Sequence, residues 1–259
     1  MPSLPAGAHP PTADKRRIFG RAAFRQTPTP PSFDHKLQVL QTVNDKTDRI
    51  YTRVLTTGSQ LATFNPGAML RSQEAEFPEG EIGMALVAPD SRQAVIARMN
   101  ECFSRGIPTV FDIGQAVSIL SGEEIRELIG KCTYLAASAY ELDLICRATE
   151  LTCEQIASLV KALVVTHGDK GSVVYTRGET ITVEACRVEK AVDPVGAGDA
   201  YRGGLLYGLS KGWGWVSTLR LASVMGSFKV EHTGAQTYAP SREEIAARYL
   251  AAYGEAMPD

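Results

Sequence analysis

The chain has 259 residues, which is enough for one large α/β domain or two small ones. Its hydrophobic fraction of 44% and charged fraction of 22% are typical of a soluble globular protein. The net charge of -2 argues against nucleic acid as the main partner, because no basic excess is available to neutralise phosphates. The sequence contains no apolar run of membrane-spanning length and no signal-peptide core, so we expect a cytoplasmic protein without a membrane partner.

The N-terminal segment differs in composition from the rest of the chain. Prolines are concentrated in residues 1–32, and apolar clusters are few, so we expect this segment to be atypical and largely without regular structure. A transit peptide is an alternative, but the prolines disfavour the amphipathic helix that it needs. We expect residues 33–259 to form the folded domain.

Beyond the N-terminal segment, strand and helix patterns alternate. Residues 50–57 and 61–65 are rich in β-branched and aromatic side chains around a Gly-Ser pair, which predicts a hairpin. Further strands are predicted at residues 84–87, 109–112, 134–137, 162–166 and 172–175. Helices are predicted at residues 91–104, after the capping box Ser121-Gly-Glu-Glu124, and at residues 140–147, 153–161, 215–230 and 241–253. This alternation predicts a mainly parallel sheet with helices on both faces and ligands at the carboxyl ends of the strands.

The stretch from Asp193 to Leu209 carries the strongest chemical signal. A Gly-rich turn, Gly196-Ala197-Gly198, passes directly into an apolar run with helical spacing. Such a turn leaves unpaired backbone N–H groups at the positive end of the helix dipole, which favours phosphate. Asp199 follows in the first helical turn, where the dipole keeps a carboxylate ionised and able to accept a proton from an alcohol. An anion site beside a carboxylate base is what phosphoryl transfer to a hydroxyl requires.

A second glycine pattern, Thr166-His-Gly168-Asp-Lys-Gly171, follows the strand predicted at residues 162–166. Two glycines allow the backbone to approach a nucleotide closely. The alternative is a tight turn between two strands.

The stretch around Asp199 resembles the signature of the ribokinase (PfkB) family of carbohydrate and nucleoside kinases. The resemblance implies a ribokinase-like three-layer α/β/α domain with a mainly parallel central sheet and a small β lid. It also implies that Gly196, Ala197 and Gly198 form the anion hole and that Asp199 is the catalytic base. The pattern of Thr166, Gly168 and Gly171 is similar to a family motif that lines the ATP site.

The resemblance also implies positions for metal ions. Ser138-Ala-Tyr-Glu141 occupies the place of the family's Asn-x-x-Glu motif, which organises Mg²⁺ and phosphate through water. Ser138 replaces the asparagine, although a hydroxyl can still hold a metal-bound water. Glu141 has an alternative interpretation as a first-turn helix acid. The family often uses a monovalent cation such as K⁺ near the anion hole, held by oxygens around the first aspartate, here Asp193.

The segment from Val230 to Gln236 resembles the C-terminal segment that borders adenine in bacterial adenosine-kinase-like members. His232 and Gly234 are therefore expected to border the nucleotide, although a lone histidine is more often structural. The segments 64–69 and 111–115 also resemble that subgroup and favour a nucleoside acceptor.

We therefore expect an ATP-dependent and Mg²⁺-requiring PfkB-type kinase that phosphorylates a primary hydroxyl, with adenosine to AMP as the best match. A kinase for another sugar, such as ribose or fructose, is an alternative. The family's N-terminal acceptor segment, a substrate-binding aspartate and a Gly-Gly pair, is not matched beyond Lys15–Gly20. This suggests a shortened or frame-shifted N-terminus and, as a further alternative, a nucleotide-binding remnant with impaired catalysis. We expect a monomer or a homodimer.

One competing motif is Gly208-Leu-Ser210-Lys-Gly212, which matches the Gly-x-Ser-x-Gly elbow of hydrolases. That elbow needs a strand before the serine, whereas a helix is predicted here and Gly212 is typical of its end. The sequence contains no P-loop pattern.

Overall fold

A computed structural model describes residues 49–54, 60–65 and 67–259 of the protein. The predictions for residues 1–32 and for the Gly58-Ser59 turn lie outside the described residues. The predicted hairpin is confirmed: β1 (Arg49–Val54) pairs antiparallel with β2 (Gln60–Asn65) as a separate two-stranded sheet. A 3₁₀ helix, Gly67–Glu74, follows it.

Within the described residues the central sheet has six strands in chain order: β3 (Ala85–Val87), β4 (Thr109–Asp112), β5 (Tyr134–Ser138), β6 (Ala162–Thr166), β7 (Ser172–Thr176) and β8 (Glu179–Val183). Strands β3 to β6 are parallel, and β7 and β8 add antiparallel to one edge. The predicted mainly parallel sheet is confirmed. Strand β8 was not predicted from the sequence, because it buries only Val183 and therefore lacks a strong apolar pattern.

Seven α-helices lie in the described part of the chain: α1 (Arg92–Ser104), α2 (Gly122–Lys131), α3 (Ala139–Thr149), α4 (Cys153–Leu159), α5 (Ala197–Ser210), α6 (Trp215–Val230) and α7 (Arg242–Tyr253). The predicted capping box of α2 is present, with Ser121 accepting from the Glu124 amide. None of the described helices combines the length and the apolar character needed to cross a membrane.

Alternate residues of the sheet bury against different helices, as expected for a two-residue side-chain period. Phe111, Leu135 and Leu163 lie in a core with α1 to α4. Their neighbours Val110, Ala136 and Val164 lie in a second core with α5 and α6. The molecule therefore has the expected three layers, with the sheet in the middle.

Helix α5 packs very closely on α6. A Cβ atom at Gly204 would lie 2.6 Å from the Cα of Ala222, so only glycine permits this approach. Ser210 is the last residue of α5, and Gly212 follows with a φ of 71°. Because a helix precedes the serine, the hydrolase elbow is excluded.

Candidate active site

Residues from three segments that the sequence analysis singled out meet at the carboxyl edge of the sheet. Asp112 ends β4, Ser138 ends β5 and Thr166 ends β6. Asp112 is in register with Ala136 two residues before the end of β5, and Ser138 is paired with Thr166. The strand ends therefore form one edge, which is where parallel sheets bind ligands.

The first turn of α5 is built by Gly196. This residue has a φ of 88° and lies at the N-cap, a conformation that favours glycine. The Ala197 amide donates to the Pro194 carbonyl at 3.1 Å and closes the turn. Gly198 and Asp199 follow in the first helical turn and are exposed. Amides in such a turn lack intrahelical acceptors, so the exposed end of α5 can bind an anion beside the Asp199 carboxylate.

The Asp193 side chain connects this turn to the C-terminal segment. Its Oδ1 accepts from the Val195 amide at 2.9 Å, and its Oδ2 accepts from the Gly234 amide at 2.8 Å. These two amides, and then the Lys229 ammonium, hold the pKa of Asp193 below its usual range. The structure thus brings Gly234 to the start of the α5 motif.

Lys229, near the end of α6, was not singled out from the sequence. Its side chain is fully buried, and its Nζ donates to the Asp193 carbonyl at 2.7 Å and to the His232 carbonyl at 3.0 Å. We call Lys229, Asp193 and the His232 carbonyl the lysine cluster. The available signal was a charge between the apolar residues Phe228 and Val230 at the end of α6, which a buried partner must explain.

His232 itself is exposed and has a structural contact. Its Nδ1 lies 2.7 Å from the Phe228 carbonyl in the last turn of α6. The ring lies 6.3 Å from that of Tyr238. Burial, and then the charge of Asp199, raise the pKa of Tyr238, so the segment after His232 borders Asp199.

The Thr166–Gly171 pattern forms the turn of the β6–β7 hairpin, as the tight-turn alternative stated. The His167 amide donates to the Gly171 carbonyl at 2.8 Å, and Gly168 and Gly171 have φ values of 62° and 96°. Immediately after the turn, Tyr201 of α5 and Ser172 are joined by a hydrogen bond of 2.7 Å. This bond attaches the hairpin to α5 two residues beyond Asp199.

Ser138 and Glu141 form the capping box of α3. The Ser138 hydroxyl accepts from the Glu141 amide at 3.2 Å, and the Glu141 carboxylate accepts from the Ser138 amide at 2.7 Å. Glu141 is therefore a first-turn helix acid, and Ser138 serves as N-cap where the family motif has asparagine. The carboxylate still lies at the edge of the sheet that carries the other site residues.

A buried ion pair between Arg202 and Asp112 was also missed. Arg202 lies one turn beyond Asp199 in α5 and pairs with Asp112 through Nε, while its Nη2 donates to Asp112 at 2.8 Å. Glu141 lies 3.7 Å from the same guanidinium. We call these three residues the arginine cluster. The available signal was the spacing of Asp199 and Arg202, which places them on one helix face.

Asp112 has an unusual titration. Burial raises the pKa of Asp112 to about 6, and the charges of Glu141 and Asp199 act in the same direction. The Arg202 guanidinium opposes this effect without cancelling it. The two clusters therefore carry aspartates with pKa shifts of opposite sign.

The residues that the structure describes hold no cluster of three or more His, Cys, Asp or Glu side chains suited to a metal ion. Mg²⁺ bound with a nucleotide needs only one or two carboxylates beside phosphates and waters, and Glu141 offers that chemistry. The oxygens around Asp193 fit a monovalent cation poorly, because an ammonium and two backbone amides already occupy them.

A broad surface cavity of about 830 Å³ lies at the opposite, amino end of the strands. Pro108, Thr133 and Lys161, each just before a strand, line it. It is therefore separate from the candidate active site.

Comparison with known proteins gives a family and several relatives. The model described as pfkB family carbohydrate kinase matches residues 36–242. A nucleoside kinase from Methanothermobacter thermautotrophicus is 31% identical over 205 residues, which cover 77% of this chain and 65% of that protein. The chain thus spans just under two thirds of the length of this curated relative.

Solved structures agree with this match. The nucleoside kinase of Burkholderia thailandensis in complex with inosine is 38% identical with a TM-score of 0.80, covering 82% of this chain and 72% of that one. The same protein in complex with ADP-inosine is 37% identical with a TM-score of 0.78, covering 83% of this chain and 67% of that one. The ribokinase-like fold is thereby confirmed, and the chain belongs to the pfkB family of carbohydrate kinases.

Proposed function

We propose that the protein is an ATP-dependent kinase that phosphorylates the primary hydroxyl of a nucleoside. The observation that carries this proposal is the exposed Asp199 carboxylate in the first turn of α5, directly after the glycine turn at Gly196. The Burkholderia thailandensis relative, described in complex with inosine, supports a purine nucleoside as the acceptor. Adenosine, converted to AMP, is the acceptor that the sequence favours.

In the proposed reaction Asp199 takes the proton of the acceptor hydroxyl. The resulting oxygen attacks the γ-phosphorus of ATP, the bond from that phosphorus to the bridging oxygen of ADP breaks, and ADP leaves. The first-turn amides of α5 and its dipole stabilise the negative charge on the transferred group. Because Asp199 is exposed next to these amides, one site can serve both the base and the phosphoryl oxygens.

ATP is proposed to bind across the start of α5. The hairpin turn at Thr166, Gly168 and Gly171 is attached to α5 through Ser172 and Tyr201, and the segment with His232 and Gly234 is attached to Asp193 shortly before α5. A Cβ atom placed on Gly168 would meet nothing within 4 Å, so the backbone of this turn is open to close approach by a nucleotide. Mg²⁺, when bound with ATP, neutralises phosphate charge, and Glu141 is the residue proposed to hold it through water.

Arg202 and Asp112 are proposed as positioning residues. The guanidinium is buried beneath the first turn of α5, and a Cβ atom at Gly198 would lie only 2.6 Å from its Nη1. It ties α5 to the end of β4 and, through Glu141, to the start of α3. The arginine cluster therefore sets where the Asp199 carboxylate stands relative to the edge of the sheet.

The proposal is tested by measuring ADP release from MgATP with adenosine, inosine, ribose, fructose or no acceptor. We expect release that depends on a nucleoside, and none of it in the Asp199→Asn variant. If only ribose or fructose supports ADP release, the acceptor is a sugar and not a nucleoside. ATP binding without release for any acceptor would contradict kinase activity and favour a nucleotide-binding protein. Cytoplasmic location and a monomeric or homodimeric state stay predictions.

A further inference from the structure

The buried Lys229 ammonium needs an explanation that the kinase chemistry alone does not provide. Its side chain is completely inaccessible to solvent, while it lies in a helix that is otherwise anchored by apolar residues such as Val224 and Phe228. Burying an unpaired ammonium is very costly, so such a group persists only when surrounding oxygens satisfy it. The lysine cluster is therefore a built cation environment.

The contacts of the ammonium are all with oxygen atoms. Nζ donates to the carbonyls of Asp193 at 2.7 Å and His232 at 3.0 Å, and the Asp193 Oδ2 lies 3.7 Å away. An ammonium has three N–H donors and no acceptor, so carbonyl and carboxylate oxygens are its natural partners. A potassium ion carries the same single positive charge and binds the same kind of oxygen atoms, but here the ammonium already occupies them.

The cluster lies directly behind the candidate anion site. The Lys229 Cε would be 3.4 Å from a Cβ atom placed on Gly196, the residue that starts α5. Asp193, Val195 and Gly234 form hydrogen bonds around the same point and hold the turn in shape. A positive charge at this place favours both the geometry of the turn and a bound anion in front of it.

We propose that the Lys229 ammonium takes the place of the monovalent cation that the family resemblance implies around Asp193, so that nucleotide binding by this protein is independent of K⁺. The lysine supplies the positive charge as part of the chain. The statement about nucleotide binding rests on the proposed function. The expectation that K⁺ does not stabilise the folded protein is independent of the proposed function.

The test uses the full chain in buffers of equal ionic strength that contain only K⁺, only Na⁺ or only tetramethylammonium as monovalent cation. Melting temperature and ADP affinity by calorimetry are measured in each buffer. For the wild-type protein we expect the same melting temperature and the same affinity in all three. A rise of either quantity that is specific to K⁺ would overturn the proposal, because a folded state that binds K⁺ is stabilised by it.

The Lys229→Met variant sharpens the test. Removing the ammonium should lower ADP affinity by roughly tenfold or more in tetramethylammonium, with partial recovery in K⁺. The matched control is Lys211→Met, which removes an exposed cation from the far end of α5 and should change neither quantity. Equal ADP affinity of Lys229→Met and wild type in tetramethylammonium would contradict the proposal.

Two further results are informative. If Lys229→Met does not fold, the cation series on the wild-type protein still decides the question. If the wild-type protein binds no ADP in any buffer, the proposed function fails. The melting temperature then tests whether Lys229 takes the place of K⁺ in the folded protein. We expect K⁺ to raise the melting temperature of Lys229→Met and to leave that of the wild type unchanged.

Discussion

The lysine cluster and the arginine cluster flank the same end of α5 but are built in different ways. In the lysine cluster, backbone amides and carbonyls surround Asp193 and Lys229, and the pKa of Asp193 is lowered. In the arginine cluster, side chains from β4, α3 and α5 meet, and burial raises the pKa of Asp112 to about 6. The contacts of the lysine cluster are therefore expected to be the same at any physiological pH. Those of the arginine cluster depend on the protonation state of Asp112.

The largest expected effect comes from breaking the arginine cluster. Arg202→Met leaves the Asp112 carboxylate buried without its partner, which costs about 3–5 kcal/mol of unfolding free energy near pH 8. The loss should shrink near pH 5, because Asp112 then becomes neutral by binding a proton. Urea unfolding at both pH values measures this difference.

The control for Arg202→Met is Arg147→Met, which breaks the exposed pair with Asp143. Because exposed pairs contribute little, we expect a loss below about 1 kcal/mol that does not depend on pH. Equal losses in the two variants would mean that the Arg202 pair does not behave as a buried one.

The second largest effect is the change of the unfolding free energy with pH that the titration of Asp112 causes. The folded protein holds a proton on Asp112 up to about pH 6, whereas the unfolded chain releases it near 3.8. Stability from this group is therefore fully present below pH 3.8 and is lost as the pH rises through 6. The shift corresponds to a change on the order of 3 kcal/mol.

Asp112→Asn removes this titration and provides the comparison. Between pH 4 and pH 7 we expect the unfolding free energy of the wild type to fall relative to that of Asp112→Asn. A relative stability that stays constant or rises over this range would show that the pKa of Asp112 is not raised.

A smaller effect is expected from replacing the glycines at the two ends of α5. Gly196 and Gly212 flank α5 and both have positive φ values, of 88° and 71°. Either change to alanine costs about 1–2 kcal/mol from the backbone conformation. Only Gly196→Ala also brings a Cβ within 3.1–3.4 Å of Ala235 and Lys229, whereas nothing lies within 4 Å at Gly212.

Gly196→Ala should therefore weaken ADP binding by roughly tenfold, and Gly212→Ala should leave it unchanged. Calorimetric titration of both variants measures this contrast. Similar ADP affinities of the two variants would mean that the turn behind Asp199 does not shape the nucleotide site.

The smallest effect concerns Ser138. Ser138→Ala and Ser241→Ala each remove the N-cap of a capping box, and each should cost about 1 kcal/mol of stability. Only Ser138 lies at the edge of the sheet beside Glu141, so only Ser138→Ala should raise the Mg²⁺ concentration required for half-maximal ADP release. The same Mg²⁺ requirement in both variants would show that Ser138 has no role in binding Mg²⁺.

Much of the fold was predictable because local rules and tertiary structure agree. The strand from Thr109 to Asp112 and the capping box at Ser121 were predicted at the residues where the structure has them. Strand β8 was missed, because four of its five residues are not buried and its pattern is polar. Helix and strand patterns are visible in sequence only where burial is periodic.

The candidate site was predictable in part for the same reason. The glycine turn and Asp199 are adjacent in sequence, so their chemistry is visible locally. Arg202 and Asp112 are 90 residues apart, and Lys229 binds backbone carbonyls that no side-chain pattern marks. Such contacts arise only when the sheet brings distant segments together.

Asp199 is proposed as the base beside the anion-binding turn of α5. The most direct test is the rate of nucleoside monophosphate formation from MgATP and inosine or adenosine in single turnovers, for wild type and Asp199→Asn. We expect the rate to fall by about 100- to 10,000-fold, with ADP affinity and melting temperature retained. A variant that forms the monophosphate at a rate comparable to wild type would show that Asp199 is not the base.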